Sequence, residues 1–267
     1  MFNWKKDLKD VSIDVILLLE EFHLKYIQNY DLLKEFAIVF QSNPHIEWFV
    51  RNKAPELNQW IDDLLHKYKE DKTYSKEELR EIELKIIYNL EDWIIYVLSP
   101  DDYHNQPFNS WDENELLGIT NWGNKIVVDI GSGTGKQAFI VAPYVKYLYC
   151  VEPVSNLRKY LKNEAKKLKY NNIYVMDGLI DSIPFEDEFA DITMCGHVLG
   201  DSLDVEINEL ERITKKDGMV IACPGNIDKD NEQHKYLTER GYNWKRFLEP
   251  GEVIGSGYKR KYWKNKM

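Results

Sequence analysis

Asp129, Gly131, Gly133 and Gly135 stand at alternate positions in Ile126–Lys136, which reads Ile-Val-Val-Asp-Ile-Gly-Ser-Gly-Thr-Gly-Lys. The apolar, β-branched run before the glycines is too short for a helix and fits a buried parallel strand. Glycine lets the following backbone bend sharply and approach a ligand with no Cβ in the way. Helical patterning resumes over residues 136–144. The bend therefore feeds a helix N-terminus, whose free amides favour anionic groups. Ser132 and Thr134 within the bend can donate hydrogen bonds to such a group or cap the helix. Strand, glycine bend and helix make the frame of a nucleotide-type site.

The elements that must position this bend follow in order. Strand-like stretches at Lys146–Glu152, Ile173–Met176, Ala190–Cys195 and Met219–Cys223 alternate with helical ones at Val154–Leu168, Val205–Thr214 and Glu232–Arg240. Alternation of this kind builds a parallel sheet with right-handed crossovers and helices on both faces. The end differs. Asn243–Leu248 and Tyr258–Trp263 flank Glu249-Pro250-Gly251 and Gly255-Ser256-Gly257, the pattern of a terminal hairpin. Three positions then fall at the strand ends beside the bend: Glu152 with Pro153, Asp177 with Gly178, and Cys195-Gly196-His197.

The glycine spacing narrows the ligand. A dinucleotide site wants G-x-G-x-x-G, and Lys136 stands where its third glycine belongs. A phosphate-cradling P-loop needs Gly-Lys followed by Ser or Thr, and Gln137 follows here. Asp129-x-Gly131-x-Gly133-x-Gly135 instead resembles the first motif of class I S-adenosylmethionine-dependent methyltransferases. Glu152, Asp177-Gly178, Ile183-Pro184-Phe185 with Phe189-Ala190-Asp191-Ile192, and Asp217-Gly218-Met219-Val220-Ile221 resemble the later segments of the same family. The resemblance runs from about Ile119 to the C-terminus. It implies a Rossmann-like, mostly parallel seven-stranded sheet with a C-terminal antiparallel hairpin, and S-adenosylmethionine as cofactor. It further implies that Asp129, Gly131, Ser132, Gly133, Thr134 and Gly135 hold the methionine end, and that Glu152 beside Pro153 accepts the ribose hydroxyls. Asp177 beside Gly178 would accept the adenine amino group, while Cys195 and Gly196 would lie beside the transferable methyl. His197 is then the candidate base or orienter, with Asp201 to polarise it or to cap the next helix. A histidine has the right ordinary pKa for that task, and a structural histidine bonded to backbone is the alternative.

Residues 1–118 form a separate, all-helical region in this reading, and 119–267 the cofactor domain. Val15, Leu19, Phe22, Tyr26, Tyr30 and Leu33 follow one three-four stripe. Pro44 and Pro55 bracket the aromatic segment Ile46–Val50. Ser75 with Glu78 is a capping box opening a helix that runs to Leu98, before Ser99-Pro100. Ser110 with Glu113 is a second capping box, for a short helix at Trp111–Leu117. The helices serve as an acceptor-covering cap or as a plain bundle. Tyr103, His104, Trp111 and Trp122 are aromatic candidates for closing over a ligand or for packing.

Composition bounds the partners. A net charge of −10 over 267 residues argues against a chain that grips phosphate backbones non-specifically. The basic run Lys259–Lys266 is read as an edge strand with solvated lysines, a local RNA-binding patch being the other option. Cys150, Cys195 and Cys223 are odd in number and far apart, each in an apolar run, which fits buried thiols of a reducing compartment and no metal site. The opening Met-Phe-Asn-Trp-Lys-Lys-Asp has no signal-peptide pattern and Val15–Leu19 is too short to span a bilayer, so a cytoplasmic location with no membrane partner is expected. The sequence offers no Asn/Asp-Pro-Pro-Tyr/Phe motif after the fourth strand, which counts against amino-directed DNA methylation. The favoured expectation is methyl transfer to a small-molecule acceptor. An RNA or protein methyltransferase and a non-catalytic cofactor-binding regulator are the alternatives, and oligomeric state is left open.

Overall fold

β1 (Ile126–Ile130) lies at the centre of a seven-stranded sheet because its two faces alternate between two separate apolar layers. Val127 joins Ala138, Val141, Leu148, Ile192 and Ile221 on one side. Val128 and Ile130 join Ile207, Leu210, Val220 and Ala222 on the other. Each of the buried valine, leucine and isoleucine side chains among them contributes about 1.5–3 kcal/mol. This structure is a computed structural model; it describes residues 8–69, 72–225, 228–248 and 257–267. The opening heptapeptide, Asn226, Glu249-Pro250-Gly251 and Gly255-Ser256 lie outside the described residues.

Two compact units make up the chain, Met1–Tyr103 and His104–Met267. In the second, β2 (Tyr147–Val151), β3 (Ile173–Met176), β4 (Ala190–Gly196), β5 (Thr214–Cys223), β6 (Asn243–Leu248) and β7 (Tyr258–Asn265) give the order β3-β2-β1-β4-β5-β7-β6. The first five strands are parallel and β7 runs antiparallel to both its neighbours. The chain winds outward from β1 through β2 to β3, then restarts at β4 on the other side. The carboxyl ends of β1 and β4 therefore flank a switch in winding direction, where open α/β sheets bind ligands. Asp191 pins this centre, its Oδ2 accepting the Ile126 N–H at 2.7 Å.

The expected hairpin is present, but β7 is not the edge. β6 takes that place, and Lys259, Arg260 and Lys261 in β7 are 2%, 7% and 4% exposed. Their stems cover apolar surface and their heads find partners inside the fold. Arg260 donates to Asp228 at 2.9 Å and Asp230 at 2.8 Å, Lys261 meets Glu115 at 2.7 Å, and Lys264 meets Glu211 at 3.0 Å. The basic run that reads as a solvated tail is largely an internal cross-link.

Segment 104–118, assigned to the helical region by sequence, falls in the second unit, with Trp111 and Leu116 in its core. Its helix is Glu113–Leu117, capped by Asp112, whose carboxylate accepts from Asn114 and Glu115. The expected Ser110 cap is absent because that hydroxyl donates to the Pro107 carbonyl at 2.7 Å.

The first unit contains helices at Glu21–Tyr26, Leu33–Ser42, Pro44–Lys53, Asn58–Lys67, Lys76–Asn89 and Glu91–Leu98. The stripe from Val15 to Leu33 is not one helix. His23 breaks it: its buried Nδ1 accepts the Glu20 N–H at 3.0 Å and caps a new start. The Ser75–Glu78 box forms as expected, with reciprocal bonds of 3.1 and 2.8 Å, although its helix turns again at Leu90. Among the described residues no helix is long and apolar enough to cross a membrane.

Candidate functional site

Gly131, Gly133 and Gly135 all take positive φ, at 68°, 54° and 84°. The bend needs this left-handed backbone, which L side chains adopt at a cost of about 1–2 kcal/mol each. It is fastened on one side by the Gly131 and Ser132 amides, which donate to the Val151 carbonyl at 2.8 and 3.2 Å. On the other, Ser132 Oγ donates to the Asp129 carbonyl at 2.8 Å. Ser132 thus serves the turn itself, and Thr134 is buried beside it.

Glu152 is the clasp between β1 and β2. Its carboxylate is 4% exposed, with Oε2 accepting the Gly133 N–H and Oε1 the Val154 N–H, each at 2.8 Å. One amide per oxygen leaves further acceptor capacity on both. Arg158, which sequence reasoning passed over, joins the second and third strand ends. Its Nη1 donates to the Glu152 and Pro153 carbonyls and to Asp177 Oδ1 at 3.0 Å. The signal was available as a cation in the first turn of the helix that follows Glu152 and Pro153. Asp177 keeps 70% of its side chain exposed despite this pairing, so it remains open to a ligand. Beside it Gly178 is required, since a Cβ there would meet Pro184 and Val151 at 2.8 Å.

Asp129 is 2% exposed. Burial pushes its carboxyl up to about 7, with the Glu152 charge adding to the effect. Burial likewise pushes Glu152 up to about 7, against the opposing pull of its two amide donors and Arg158. The fold therefore retains protons that the unfolded chain releases between pH about 4 and 7. By linkage, the ligand-free protein loses stability as pH rises through that window. Urea unfolding should show this decline between pH about 4 and 7, and Asp129→Asn should reduce its slope. An unaltered slope in the variant would mean Asp129 ionises as freely folded as unfolded.

The space beside Gly196 is filled by the Gln137 carboxamide, whose Nε2 lies 2.7 Å from where a Cβ would stand. Gln137 was legible in sequence only as the residue that breaks the P-loop pattern. Its buried Oε1 has no hydrogen-bond partner among the described residues. Gly131 is crowded in the same way by Val198. His197 itself takes φ 59°, and its N–H donates to the Cys223 carbonyl at 3.1 Å. Its ring lies against Gly225, where a Cβ would stand 2.9 Å from Nδ1, and 6.1 Å from the Phe108 ring. Surrounding protein and the Lys259 ammonium hold its pKa below the ordinary imidazole value, so the ring is neutral at pH 7.

The next helix, Leu203–Ile213, has Ser202 as its N-cap residue, and Glu206 reaches back from within the helix to hold that end. This buried carboxylate accepts the amides of Gly200, Asp201 and Ser202, all at 2.9 Å, and so holds the loop after His197. Glu206→Ala should cost about 1–3 kcal/mol in urea unfolding, through the loss of hydrogen bonds to a charged group. A wild-type midpoint would show that water replaces the carboxylate freely. Cys150, Cys195 and Cys223 are free and buried as expected. Burial raises all three thiols, which disfavours the nucleophilic thiolate at each. Trp111 and Trp122 are core residues, the latter donating to the Leu117 carbonyl at 3.1 Å. No cluster of metal-ligating side chains occurs among the described residues.

Residues 128–222 match the family described as Methyltransferase domain. His104–Met267 contains a class I S-adenosylmethionine-dependent methyltransferase domain. Two curated relatives resemble it. The uncharacterized methyltransferase YcgJ of Bacillus subtilis is 30% identical over 129 residues, 48% of this chain and 49% of that protein. Protein-L-isoaspartate O-methyltransferase of Dictyoglomus thermophilum is 30% identical over 143 residues, 53% of this chain and 61% of that protein. The chain thus spans only about half to three-fifths of the length of these relatives. A Haloferax volcanii chain, solved in the complex of the Trm112 methyltransferase activator with a methyltransferase, shares the fold. It has a TM-score of 0.50 at 10% identity, over 63% of this chain and 94% of that one.

The methyltransferase domain's residues fit the family's cofactor. The bend leaves Gly131 and Gly133 half-buried, Glu152 has acceptor capacity for hydroxyl donors, and Asp177 is open for an amino donor.

Proposed function

We propose that the protein transfers the methyl group of S-adenosylmethionine to a small-molecule acceptor carrying a protic nucleophile. Bound S-adenosylmethionine supplies an activated methyl on a sulfonium. The residues of the chain have only to hold it, align the nucleophile and take up a proton where one is released. The observation that carries the reading is the Glu152 clasp: one buried carboxylate joins the glycine bend to the end of β2. In this assignment Asp129, Gly131, Ser132, Gly133, Thr134 and Gly135 hold the methionine end. Glu152 and Pro153 take the ribose, Asp177 and Gly178 the adenine, and Cys195 and Gly196 flank the methyl. His197, neutral at pH 7, takes the proton or orients the acceptor. The helical N-terminal region, 1–118 as read from sequence, is where acceptor choice is written.

The internal pairing of the β7 cations favours a small acceptor over a polyanion, because those charges are already engaged. Calorimetry with S-adenosylhomocysteine, followed by transfer of labelled methyl into separated metabolite, RNA and protein fractions, tests the assignment. Cofactor binding with label in the metabolite fraction is the expected result. Label in RNA, with steep salt dependence, would replace the acceptor class, and absence of binding would remove the whole reading.

A further inference from the structure

Lys259 is the most deeply buried cation among the described residues of the domain, and it donates to main-chain carbonyls. It is 2% exposed, at the second residue of β7. Its Nζ donates to the carbonyls of Phe108 and Ser110, and stands over the Trp111 ring at 5.2 Å from the centroid. All three belong to segment 107–111, which has one turn of 3-10 helix at Pro107–Asn109 and little other regular structure. The same segment carries Phe108, whose ring lies 6.1 Å from the His197 ring at an interplanar angle of 54°. One ammonium therefore ties an irregular segment to the sheet where that segment meets the candidate base.

We propose that Lys259 is a positioning residue for methyl transfer: it fastens segment 107–111 to β7, so that Phe108 forms the wall beside His197. This rests on the methyl-transfer role given to His197 above. Two consequences follow for the imidazole. Phe108 fixes one side of it, and Gly225 leaves space for the other, where a side chain would collide with Nδ1. Segment 107–109 brings no charge to the ring, and neither do the end of β5 or Gly225. From β7 comes the Lys259 ammonium, which together with the packing around the ring favours the neutral form able to accept a proton, while His197 as a whole stays exposed. An acceptor entering this corner meets an aromatic wall and a neutral base in a fixed relation.

Imidazole titration by nuclear magnetic resonance on the full chain tests this without knowledge of the acceptor. Lys259→Met should raise the His197 midpoint by on the order of half a pH unit. It should also abolish the ring-current displacement that Phe108 imposes on the imidazole protons. Lys259→Arg should restore both towards wild type, and Phe108→Leu should remove the ring-current displacement while moving the midpoint little. A Lys259→Met protein that titrates and resonates at His197 as wild type does would overturn the proposal. If that variant does not fold, unchanged His197 resonances in Phe108→Leu would overturn it alone. S-adenosylhomocysteine calorimetry on the same samples keeps the two ideas apart. Affinity within about threefold of wild type in all variants is expected, since none touches the glycine bend; no binding by wild type would instead strike the functional assignment.

Discussion

Gly133→Val is expected to raise the dissociation constant for S-adenosylhomocysteine by at least about 100-fold, a loss of about 3 kcal/mol. Gly133 holds φ at 54°, where a β-branched residue is a genuine outlier. Its N–H is also the donor that anchors Glu152 Oε2 at 2.8 Å. Valine would therefore either strain the bend or abandon it, and in both cases the clasp between β1 and β2 loosens. Gly133→Ala should lie between wild type and valine, because alanine tolerates the left-handed region better. Calorimetry on both variants, with circular dichroism as a check on folding, measures the series. Wild-type affinity in the valine variant would mean that the ligand does not approach this bend.

Glu152→Ala should weaken the same binding by about 1–3 kcal/mol, the range for hydrogen bonds to a charged group. The loss has two origins: acceptors for the ribose hydroxyls vanish, and the Gly133 and Val154 amides lose their partner. Glu152→Gln separates them, since it keeps the shape but turns one acceptor oxygen into a donor. Acidity gives a second handle. With the folded Glu152 carboxyl titrating near about 7, affinity in the wild type should rise as pH increases from 6 to 8. The sign follows because the ionised carboxylate holds hydroxyl donors better than the acid does. The glutamine variant should show no such rise. An affinity independent of both residue 152 and pH would place the ribose elsewhere.

Much of this site could be read from local chemistry. Alternate glycines after an apolar run demand a left-handed bend, and the three positive φ angles are its direct expression. Strand ends at Glu152 and Asp177 followed from alternation of short apolar and amphipathic stretches, because each parallel strand must be buried on both faces. Burial of Cys150, Cys195 and Cys223 followed from the same runs. The helices of the first region were legible where a capping box marked their start, as at Ser75, and misread where a buried histidine supplied the cap, as at His23.

What the residues alone determined is thus the kind of bend and the alternation of elements, both consequences of backbone sterics and local periodicity, while the class of cofactor was implied by resemblance to a family. Only the tertiary structure decided who neighbours whom across long sequence separations. It moved the lysines of β7 from a presumed solvent edge into the interior, since strand order is set by crossovers and not by the strand's own composition. It gave the space beside Gly196 to Gln137 and tied Glu152 to Asp177 through Arg158. It also brought Phe108 to His197 by way of Lys259. Those pairings depend on where whole elements dock, and no spacing along the chain encodes that distance.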